Sequence, residues 1–410
     1  MRVYTVDNKF NEETVKLGLL YLSQAHEVSM ENFVKQYALD QRMASSVSEF
    51  AEAYRIGMGK VEPIINDPMV EDITITSENY VYIYHSKLGP MRTDVFFTED
   101  ETRKFAQHIA QRSGKTVSVY NPVVDVSYKN YRINIVYEDV GKPSISIRKL
   151  RAAAFTPFDL IQSGAATPKV MAYLWLAIEH RSNIIITGST SSGKTTLLNA
   201  ILSFVPRASR IVSIEDAREL NIMNENVVSL QSKISLTQSG GISVNDLIEF
   251  SKYDGADYLV LGEARGDVIR SYFRYITSGR NAITTIHGGS SSALIRRLKS
   301  LPLYLPISNI LAIDAIVEVK NSGRRYINKI SEPFYEGSLS LNNVFDYSSG
   351  HYEESGVSYL LENIASKTGM DREYIIKDLD RKAKILENMQ KPADYMDFVR
   401  KVRDEANKIT

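Results

Sequence analysis

A glycine-rich octapeptide near the middle of the chain has the residue types and spacing of a phosphate-binding loop. It reads Gly188-Ser-Thr-Ser-Ser-Gly193-Lys194-Thr195 and fits G-x-x-x-x-G-K-[ST] at every position. The glycines let backbone N–H groups turn toward phosphate, the lysine can reach the β- and γ-phosphates of ATP, and the threonine hydroxyl can ligate Mg²⁺. The sequence therefore predicts a site for ATP and Mg²⁺. The residues expected to contact the nucleotide here are Gly188, Ser189, Thr190, Ser191, Ser192, Gly193, Lys194, Thr195 and Thr196.

Acidic residues follow two apolar segments downstream of this loop. Glu215 and Glu219 stand in the hexapeptide Ile-Glu-Asp-Ala-Arg-Glu, and Glu263 stands in Gly-Glu-Ala-Arg-Gly. A phosphate loop needs carboxylates that hold Mg²⁺ and orient water, so we predict that these three acids and Lys194 are catalytic. Thr195 and Glu263 are the predicted metal ligands, and Glu263 could act through water, polarise the attacking water, or do both. The alternative for each acid is a solvated carboxylate at a strand end.

A histidine, His287, ends another apolar segment of the same kind. Its position at the end of a strand suits a residue that senses the γ-phosphate or couples hydrolysis to motion. A structural histidine is the alternative, and the sequence leaves both open.

The segments that position these residues alternate between helices and short apolar strands. Such runs are typical of parallel strands that are buried on both faces. They predict a doubly wound α/β core, in which ligands bind at the carboxyl edge of the sheet. The predicted strands are Asn183–Thr187, Arg210–Ile214, Tyr258–Leu261 and Ala282–Ile286, and the helix after the loop is Thr195–Phe204.

The earlier part of the chain has two other patterns. Residues 12–57 have helical apolar spacing and predict two or three helices, whereas residues 61–150 predict an α+β unit with a helix at Asp100–Ser113. The basic segment Arg148–Pro157 is predicted to be a linker, and residues 357–408 a helical tail. The strand positions predicted in the α+β unit are Ile73 and Ile75, Val81 and Ile83, Val117 and Val119, Val123 to Val126, Ile133 and Ile135, and Ile145 and Ile147.

Composition narrows the classes of function. The 410 residues include no cysteine, which excludes disulfides, cysteine-ligated metals and thiol catalysis. Lys+Arg and Asp+Glu both count 49, and this balance argues against extensive nucleic-acid binding. No apolar stretch is long enough to span a bilayer. We therefore expect a cytoplasmic protein that reaches the membrane only through a partner.

Four motifs, taken in order, carry a resemblance to a known family. They are similar to the P-loop, the Asp box, an atypical Walker B motif and the His box of the type II/type IV secretion ATPase superfamily. The segments Asp67–Ile73, Tyr131-Arg132 and Ile147–Lys149 look like the N-domain of its archaeal branch, which drives archaella and archaeal type IV pili. The four motifs are Gly188–Thr196, Ile214–Glu219, Gly262–Gly266 and Thr285–His287.

The resemblance implies a homohexameric motor at the cytoplasmic face of the membrane that binds a polytopic membrane platform protein. ATP would lie between an N-domain and a RecA-like C-domain, and hydrolysis would move them as rigid bodies. Arg132 and Arg148 match arginines that reach the phosphates, and Arg265 and His287 are expected near the nucleotide. The implied division is a helical segment at 1–60, an α+β N-domain at 61–147, a linker at 148–158 and a RecA-like ATPase domain with a helical tail at 159–410.

Two departures from the family pattern are visible. Arg280 follows Gly279 where many relatives have histidine, and Gly255-Ala-Asp257 stands where many archaeal relatives have Arg-Pro-Asp. Neither change affects the phosphate loop or the acids, but the first leaves the role of Arg280 open. A ring motor also needs a positive charge from a neighbouring subunit. The candidates are Arg265, Arg280, Arg296 and Arg297.

Two other functions compete with the filament motor. The first is a P-loop ATPase that translocates DNA or serves conjugation, which predicts a basic pore loop. The segment 231–241 has only Lys233 as a positive charge, so DNA contact is weakly supported. The second is a regulatory subunit that does not hydrolyse ATP, and the presence of Lys194, Glu215 and Glu263 counts against it.

Overall fold

A computed structural model describes residues 3–5, 11–24, 28–137, 140–149, 154–233, 241–348 and 350–407. The chain divides into two compact units, Met1–Ala152 and Ala153–Thr410. Each unit has its own sheet and its own hydrophobic core.

The first unit is an α+β fold built on a seven-stranded sheet. Its strands are β1 (Val3–Tyr4), β2 (Val70–Thr76), β3 (Asn79–His85), β4 (Gly89–Phe97), β5 (Val123–Tyr128), β6 (Tyr131–Val136) and β7 (Ser144–Lys149). Its helices are α1 (Glu12–Gln24), α2 (Met30–Gln36), α3 (Gln41–Ile56), α4 (Glu62–Asn66) and α5 (Glu99–Arg112). The strand order is β1-β4-β3-β2-β7-β6-β5, and only β1 and β4 pair in parallel.

Alternating apolar residues explain this sheet. Ile73 and Ile75 of β2 pair with Ile147 and Ile145 of β7, and all four side chains are buried. Because side chains alternate across a strand, the polar residues between them face away from the core. Val15 of α1 belongs to the same core, so the N-terminal helices pack onto this sheet.

Three boundaries in this unit differ from the sequence prediction. The predicted strand at Val117 and Val119 is wrong: Ser118 and Asn121 exchange two backbone hydrogen bonds in a tight turn, which leaves only an isolated bridge. Helix α5 begins one residue earlier than predicted, because Thr98 and Glu101 form a capping box. The segment predicted as a linker overlaps β7 at its start, since Arg148 pairs with residues of two neighbouring strands.

The second unit is an α/β fold built on a nine-stranded sheet. Its strands are β8 (Ile184–Gly188), β9 (Ile211–Glu215), β10 (Val227–Gln231), β11 (Tyr258–Leu261), β12 (Ala282–His287), β13 (Ala315–Asn321), β14 (Arg325–Glu336), β15 (Ser338–Ser348) and β16 (His351–Glu354). Its helices are α6 (Pro157–Gln162), α7 (Pro168–Glu179), α8 (Lys194–Ile201), α9 (Val244–Ser251), α10 (Val268–Ile276), α11 (Ser291–Lys299), α12 (Ile307–Ile310), α13 (Tyr359–Thr368), α14 (Arg372–Glu387) and α15 (Tyr395–Asn407).

The sheet of this unit has a parallel half and an antiparallel half. Its order is β10-β9-β11-β12-β8-β13-β14-β15-β16; the pairs from β10 to β13 are parallel and those from β13 onward are antiparallel. The four predicted parallel strands are confirmed as β8, β9, β11 and β12. The strand before the phosphate loop, β8, lies between β12 and β13, which is the RecA-like arrangement. The antiparallel extension was not predicted.

A buried carboxylate joins this extension to the helices that follow it. Glu332 of β14 is 1% exposed and accepts hydrogen bonds at 2.6 Å from the hydroxyls of Tyr173 and Ser358. It also accepts from the backbone N–H of Tyr359, at the start of α13, at 2.7 Å. Burial, followed by the charge of Glu332, raises the pKa of the Tyr173 hydroxyl well above its usual range. The carboxylate therefore holds helices α7 and α13 against the sheet.

Candidate nucleotide site

The phosphate loop connects the end of β8 to the start of α8. Gly193 is the N-cap of α8 and has φ +101°, a left-handed conformation that a glycine adopts without strain. Gly188 must also lack a side chain, because a Cβ there would lie 2.4 Å from the carbonyl oxygen of Val319. Strand, loop and helix therefore have the arrangement that directs a helix N-terminus at an anion.

The ammonium group of Lys194 folds over this loop. Its Nζ donates hydrogen bonds to the carbonyl oxygens of Gly188 at 3.1 Å and Ser189 at 2.8 Å. Burial lowers the pKa of Lys194, and the negative charge of Glu263 acts in the opposite direction. The lysine and the acid are thus close enough to interact electrostatically.

Neighbouring strand ends bring the other motifs to the same edge of the sheet. His287 pairs in register with Gly188, and Leu261 pairs with Ile214, so the residues after each strand meet at the carboxyl edge. The hydroxyl of Thr285 donates to the carbonyl oxygen of Gly262 at 2.7 Å. This edge is where ligands bind in doubly wound sheets.

Glu215 ends β9 and lies buried among backbone donors. Its Oε1 accepts hydrogen bonds from the N–H groups of Glu219 and Leu220, both at 2.8 Å. Burial raises the pKa of Glu215 to about 7, although the two hydrogen bonds and the charge of Arg218 oppose this. Gly262 fits beside Glu215 because it has no side chain, since a Cβ at this position would lie only 3.2 Å from the Cγ of Glu215. Glu215 therefore fixes the backbone of the segment that contains Glu219.

The same segment is also tied to the helix of the phosphate loop. Asn199 of α8 donates from Nδ2 to the carbonyl oxygen of Glu219 at 3.1 Å, and its Oδ1 accepts from the N–H of Asn221 at 2.8 Å. A shift of α8 would therefore also move the backbone of Glu219. This amide link was not identified from the sequence, since one asparagine within an apolar helix has no recognisable pattern.

An ion pair joins the second and third motifs. Arg265 lies 2.7 Å from Asp216 Oδ2, and the hydroxyl of Ser232 donates to Asp216 Oδ1 at 2.7 Å. The pair is more than half exposed at the arginine, so its contribution to stability is about 1 kcal/mol or less. Arg265 is predicted to lie near the nucleotide. In the structure, its ion pair with Asp216 of the same chain holds it beside the Asp box.

The two remaining predicted residues of this edge are exposed. Glu263 follows Gly262 on the solvent side of the sheet edge, and His287 ends β12. The carbonyl oxygen of His287 accepts a 2.7 Å hydrogen bond from Nη1 of Arg297, so its backbone is anchored while its ring is accessible. Both side chains are free of crowding, as contact with a ligand would require.

Three predicted arginines have partners in their own unit. In the first unit, Arg132 pairs with Asp125 at 3.1 Å and Arg148 with Asp72 at 2.8 Å. Their predicted contacts with phosphate stay predictions. In the second unit, Arg280 donates to the carbonyl oxygen of Lys252 at 2.9 Å.

The hairpin of β13 and β14 also reaches the phosphate loop, a contact that sequence analysis did not predict. Arg325 donates from Nε to the carbonyl oxygen of Ser191 at 3.1 Å, and Asn321 donates from Nδ2 to the same oxygen at 3.4 Å. These residues lie 134 and 130 positions after Ser191 and outside every motif. Only tertiary structure brings them to the loop.

The oxygen donors present suit magnesium. Mg²⁺ prefers hydroxyl and carboxylate oxygens, which Thr195 and Glu263 supply beside the loop. Among the described residues, no three His, Asp or Glu side chains cluster in a way that could hold a metal ion. Phosphate oxygens of a nucleotide would supply the remaining ligands.

Comparison with known proteins identifies the family. The family described as Type II/IV secretion system protein matches residues 123–312. An uncharacterized protein of Methanocaldococcus jannaschii is 36% identical over 266 residues, which cover 60% of this chain and 96% of that protein. This chain belongs to the type II/IV secretion ATPase superfamily. A second uncharacterized protein of the same archaeon is 30% identical over 354 residues, 82% of this chain and 64% of that protein.

Another relative has a name that refers to conjugal transfer. The probable conjugal transfer protein TrbB of Sinorhizobium fredii is 31% identical over 215 residues, 49% of this chain and 64% of that protein. The chain thus spans less than two thirds, 64%, of the length of two of these three relatives. Within the described ranges, no helix combines the length and the apolar character needed to cross a membrane.

Proposed function

We propose that this chain binds ATP with Mg²⁺ at the phosphate loop, hydrolyses it, and acts as a hexameric motor that assembles a type IV filament or drives secretion at the cytoplasmic membrane face. The observation that carries the proposal is the convergence of the four family motifs at one sheet edge. The loop, Glu215, Glu263 and His287 lie at or just after the ends of four adjacent strands in the parallel half of one sheet.

Each residue has a role in this proposal that follows from its position. Lys194 would exchange its carbonyl contacts for the β- and γ-phosphates, and Thr195 and Glu263 would hold Mg²⁺, which when bound would neutralise phosphate charge. Glu263 orients the attacking water, because it is an exposed carboxylate at the strand end. Glu215 positions the segment of Glu219, which supplies a second carboxylate toward the site.

Further contacts are proposed from the family resemblance. Arg132 and Arg148 contact the nucleotide phosphates, and His287 responds to the γ-phosphate. The partners are five more copies of the chain and a polytopic membrane platform protein. These roles can be tested separately from hydrolysis by substituting each residue with alanine and measuring ATP affinity.

Conjugation is the second candidate function. It is supported by the similarity to the conjugal transfer protein TrbB over the region that contains the phosphate loop. The balanced charge of the chain, 49 basic and 49 acidic residues, favours a protein partner over DNA. The two functions share the ATPase site and differ in what stimulates it.

The experiment is phosphate release from ATP by the purified chain, alone and with double-stranded DNA or vesicles of acidic lipid. We expect Mg²⁺-dependent release that DNA does not stimulate at about 0.15 M salt. Strong stimulation by DNA that falls as salt rises would favour the conjugation alternative. No release with any addition would contradict ATPase activity.

A further inference from the structure

The hairpin formed by β13 and β14 lies against the phosphate loop at both of its ends. A Cβ on Gly188 would meet the carbonyl oxygen of Val319 in β13 at 2.4 Å, and a Cβ on Gly193 would lie 3.5 Å from the Cδ of Arg325 in β14. Gly188 is therefore required for the close approach of this hairpin, because a Cβ there would clash with backbone, whereas a Cβ on Gly193 would make only an ordinary contact. Gly193 is required for its left-handed backbone conformation.

Ser191, in the middle of the loop, has a backbone conformation that needs support. Its φ is +60°, in the left-handed region, which for a residue other than glycine costs roughly 1 kcal/mol or more and persists only where surroundings hold it. Its carbonyl oxygen accepts the hydrogen bonds of Arg325 and Asn321. Because the C=O and N–H of one peptide unit point in opposite directions, this anchoring turns the N–H of Ser192 back into the loop, where it donates to Ser189 at 3.3 Å.

The two adjacent arginines of this hairpin differ in their contacts. Arg324 donates to the hydroxyl of Tyr347 at 2.8 Å and packs its guanidinium near the rings of Tyr326 and Tyr347. Arg325 contacts the loop instead, and the structure gives it no carboxylate partner among the described residues. Because no carboxylate of the described residues pairs with Arg325, its positive charge is not neutralised by a partner beside the phosphate loop.

We propose that Arg325 is a positioning residue for nucleotide binding, which fixes the Ser191 peptide and thereby the turn of the phosphate loop. Asn321 assists it at the same oxygen. This inference rests on the proposed nucleotide site and adds a part of that site contributed by the antiparallel half of the sheet. ATP and ADP share the phosphates that such a loop surrounds, so loss of Arg325 weakens both to a similar extent. The turnover of bound ATP changes little, because Arg325 touches neither Glu263 nor the segment of Glu219.

The test compares Arg325→Ala, Arg325→Lys and the matched control Arg324→Ala with the wild-type chain. Dissociation constants for ADP and for a non-hydrolysable ATP analogue are measured by calorimetry, and KM and kcat are measured by phosphate release. Loss of a hydrogen bond from a charged donor corresponds to about tenfold in affinity. We expect Arg325→Ala to raise both dissociation constants and KM about tenfold with kcat within about twofold. Lysine, which can still donate one hydrogen bond, should restore part of the affinity, and Arg324→Ala should resemble wild type.

Each other outcome overturns a defined claim. Wild-type affinity in Arg325→Ala, an equal loss in Arg324→Ala, or a large fall in kcat at unchanged affinity would each overturn the role of Arg325. If Arg325→Ala does not fold, Arg325→Lys decides, and wild-type affinity together with wild-type KM in that variant would overturn the role of the hydrogen bond from Arg325 Nε to Ser191. A wild-type chain that binds neither nucleotide would instead contradict the proposed function.

Discussion

Glu215 accepts a 2.8 Å hydrogen bond from the backbone N–H of Glu219, four residues further along the chain. The same oxygen accepts from the next N–H, that of Leu220, so this acid arranges a turn after β9. A carboxylate whose oxygen is committed to backbone donors is poorly placed to ligate a metal through that oxygen. We therefore infer that Glu215 acts by fixing the backbone of the segment that contains Glu219.

Glu215→Gln should change how stability depends on pH. Burial raises the pKa of Glu215 from its ordinary value of 4.5 to about 7, so between these values the folded chain binds a proton that the unfolded chain has lost. The stronger proton binding by folded Glu215 stabilises the folded chain. This stabilisation is fully present below about pH 4.5 and is lost as pH rises through about 7. Glutamine keeps the acceptor and removes the titration, so the variant should gain up to about 3 kcal/mol relative to wild type across this window.

Urea unfolding near pH 5 and near pH 8 measures this difference. Glu336→Gln, at an exposed position of β14, is the matched control and should differ equally from wild type at both pH values. A Glu215→Gln variant whose difference from wild type is the same at both pH values would contradict the raised pKa.

Glu263→Gln should retain nucleotide binding and lose turnover. The amide keeps the shape of the side chain but removes the negative charge that aligns water and balances Lys194. We expect ATP to bind within a few-fold of wild type while kcat falls about a hundredfold or more. The measurement is equilibrium binding beside phosphate release. Turnover near the wild-type rate would make Glu263 a structural residue.

Glu332→Ala should destabilise the second unit. The substitution leaves the hydroxyls of Tyr173 and Ser358 and the N–H of Tyr359 without their acceptor in a buried site. Removing one partner of a buried network of this kind costs about 3 kcal/mol. Glu336→Ala, on the same strand but exposed, should cost under about 0.5 kcal/mol. Similar unfolding midpoints for both variants in urea would show that the buried carboxylate contributes little.

ATP should strengthen assembly into a ring of six, with Arg296 completing the site of a neighbouring subunit. Of the four candidate arginines, Arg265, Arg280 and Arg297 make contacts within their own chain. Arg296 is exposed on α11, and the structure gives its guanidinium no partner in the described part of the chain. We expect Arg296→Ala to lower turnover about tenfold or more without unfolding the subunit.

Mixing provides the decisive form of this assembly experiment. Rings made only of Arg296→Ala or only of Glu263→Gln subunits are each impaired. In a mixed ring, some interfaces combine Glu263 of an Arg296→Ala subunit with Arg296 of a Glu263→Gln subunit, so that both residues are present at one site. Phosphate release against mixing ratio, with mass from light scattering, should pass through a maximum. A monomer with a specific rate that does not depend on concentration would contradict the ring.

Four strands of the parallel half of the second unit, β8, β9, β11 and β12, could be predicted because they are short, largely apolar runs, whereas β10 and β13 were not predicted. The antiparallel half could not be predicted, because β14 and β15 mix apolar residues with Glu332, Pro333 and several asparagines, which lower the expected strand propensity. These residues are tolerated there because tertiary partners satisfy them, as the donors around Glu332 show. Local propensity does not include such partners.

The candidate site likewise contains residues that could be predicted from sequence and contacts that could not. Residues of the loop and of the strand ends could be predicted as site residues because each motif is contiguous and follows a buried strand that leads to the carboxyl edge of the sheet. The contacts of Asn199 with the Glu219 segment and of Arg325 with Ser191 join residues far apart in sequence. The raised pKa of Glu215 could not be predicted from sequence either, because it is caused by burial, and burial depends on how the chain packs.

Phosphate release by Lys194→Ala tests the central claim most directly. The ammonium of Lys194 lies over the phosphate loop, and in the proposed site its removal would take a charge-assisted contact from the β- and γ-phosphates. The matched control is Lys169→Ala, which loses only an exposed ion pair with Glu354. The account predicts wild-type hydrolysis in Lys169→Ala and a loss of about a hundredfold or more in Lys194→Ala. Hydrolysis by Lys194→Ala within a few-fold of wild type would contradict the assignment of the loop as the ATPase site.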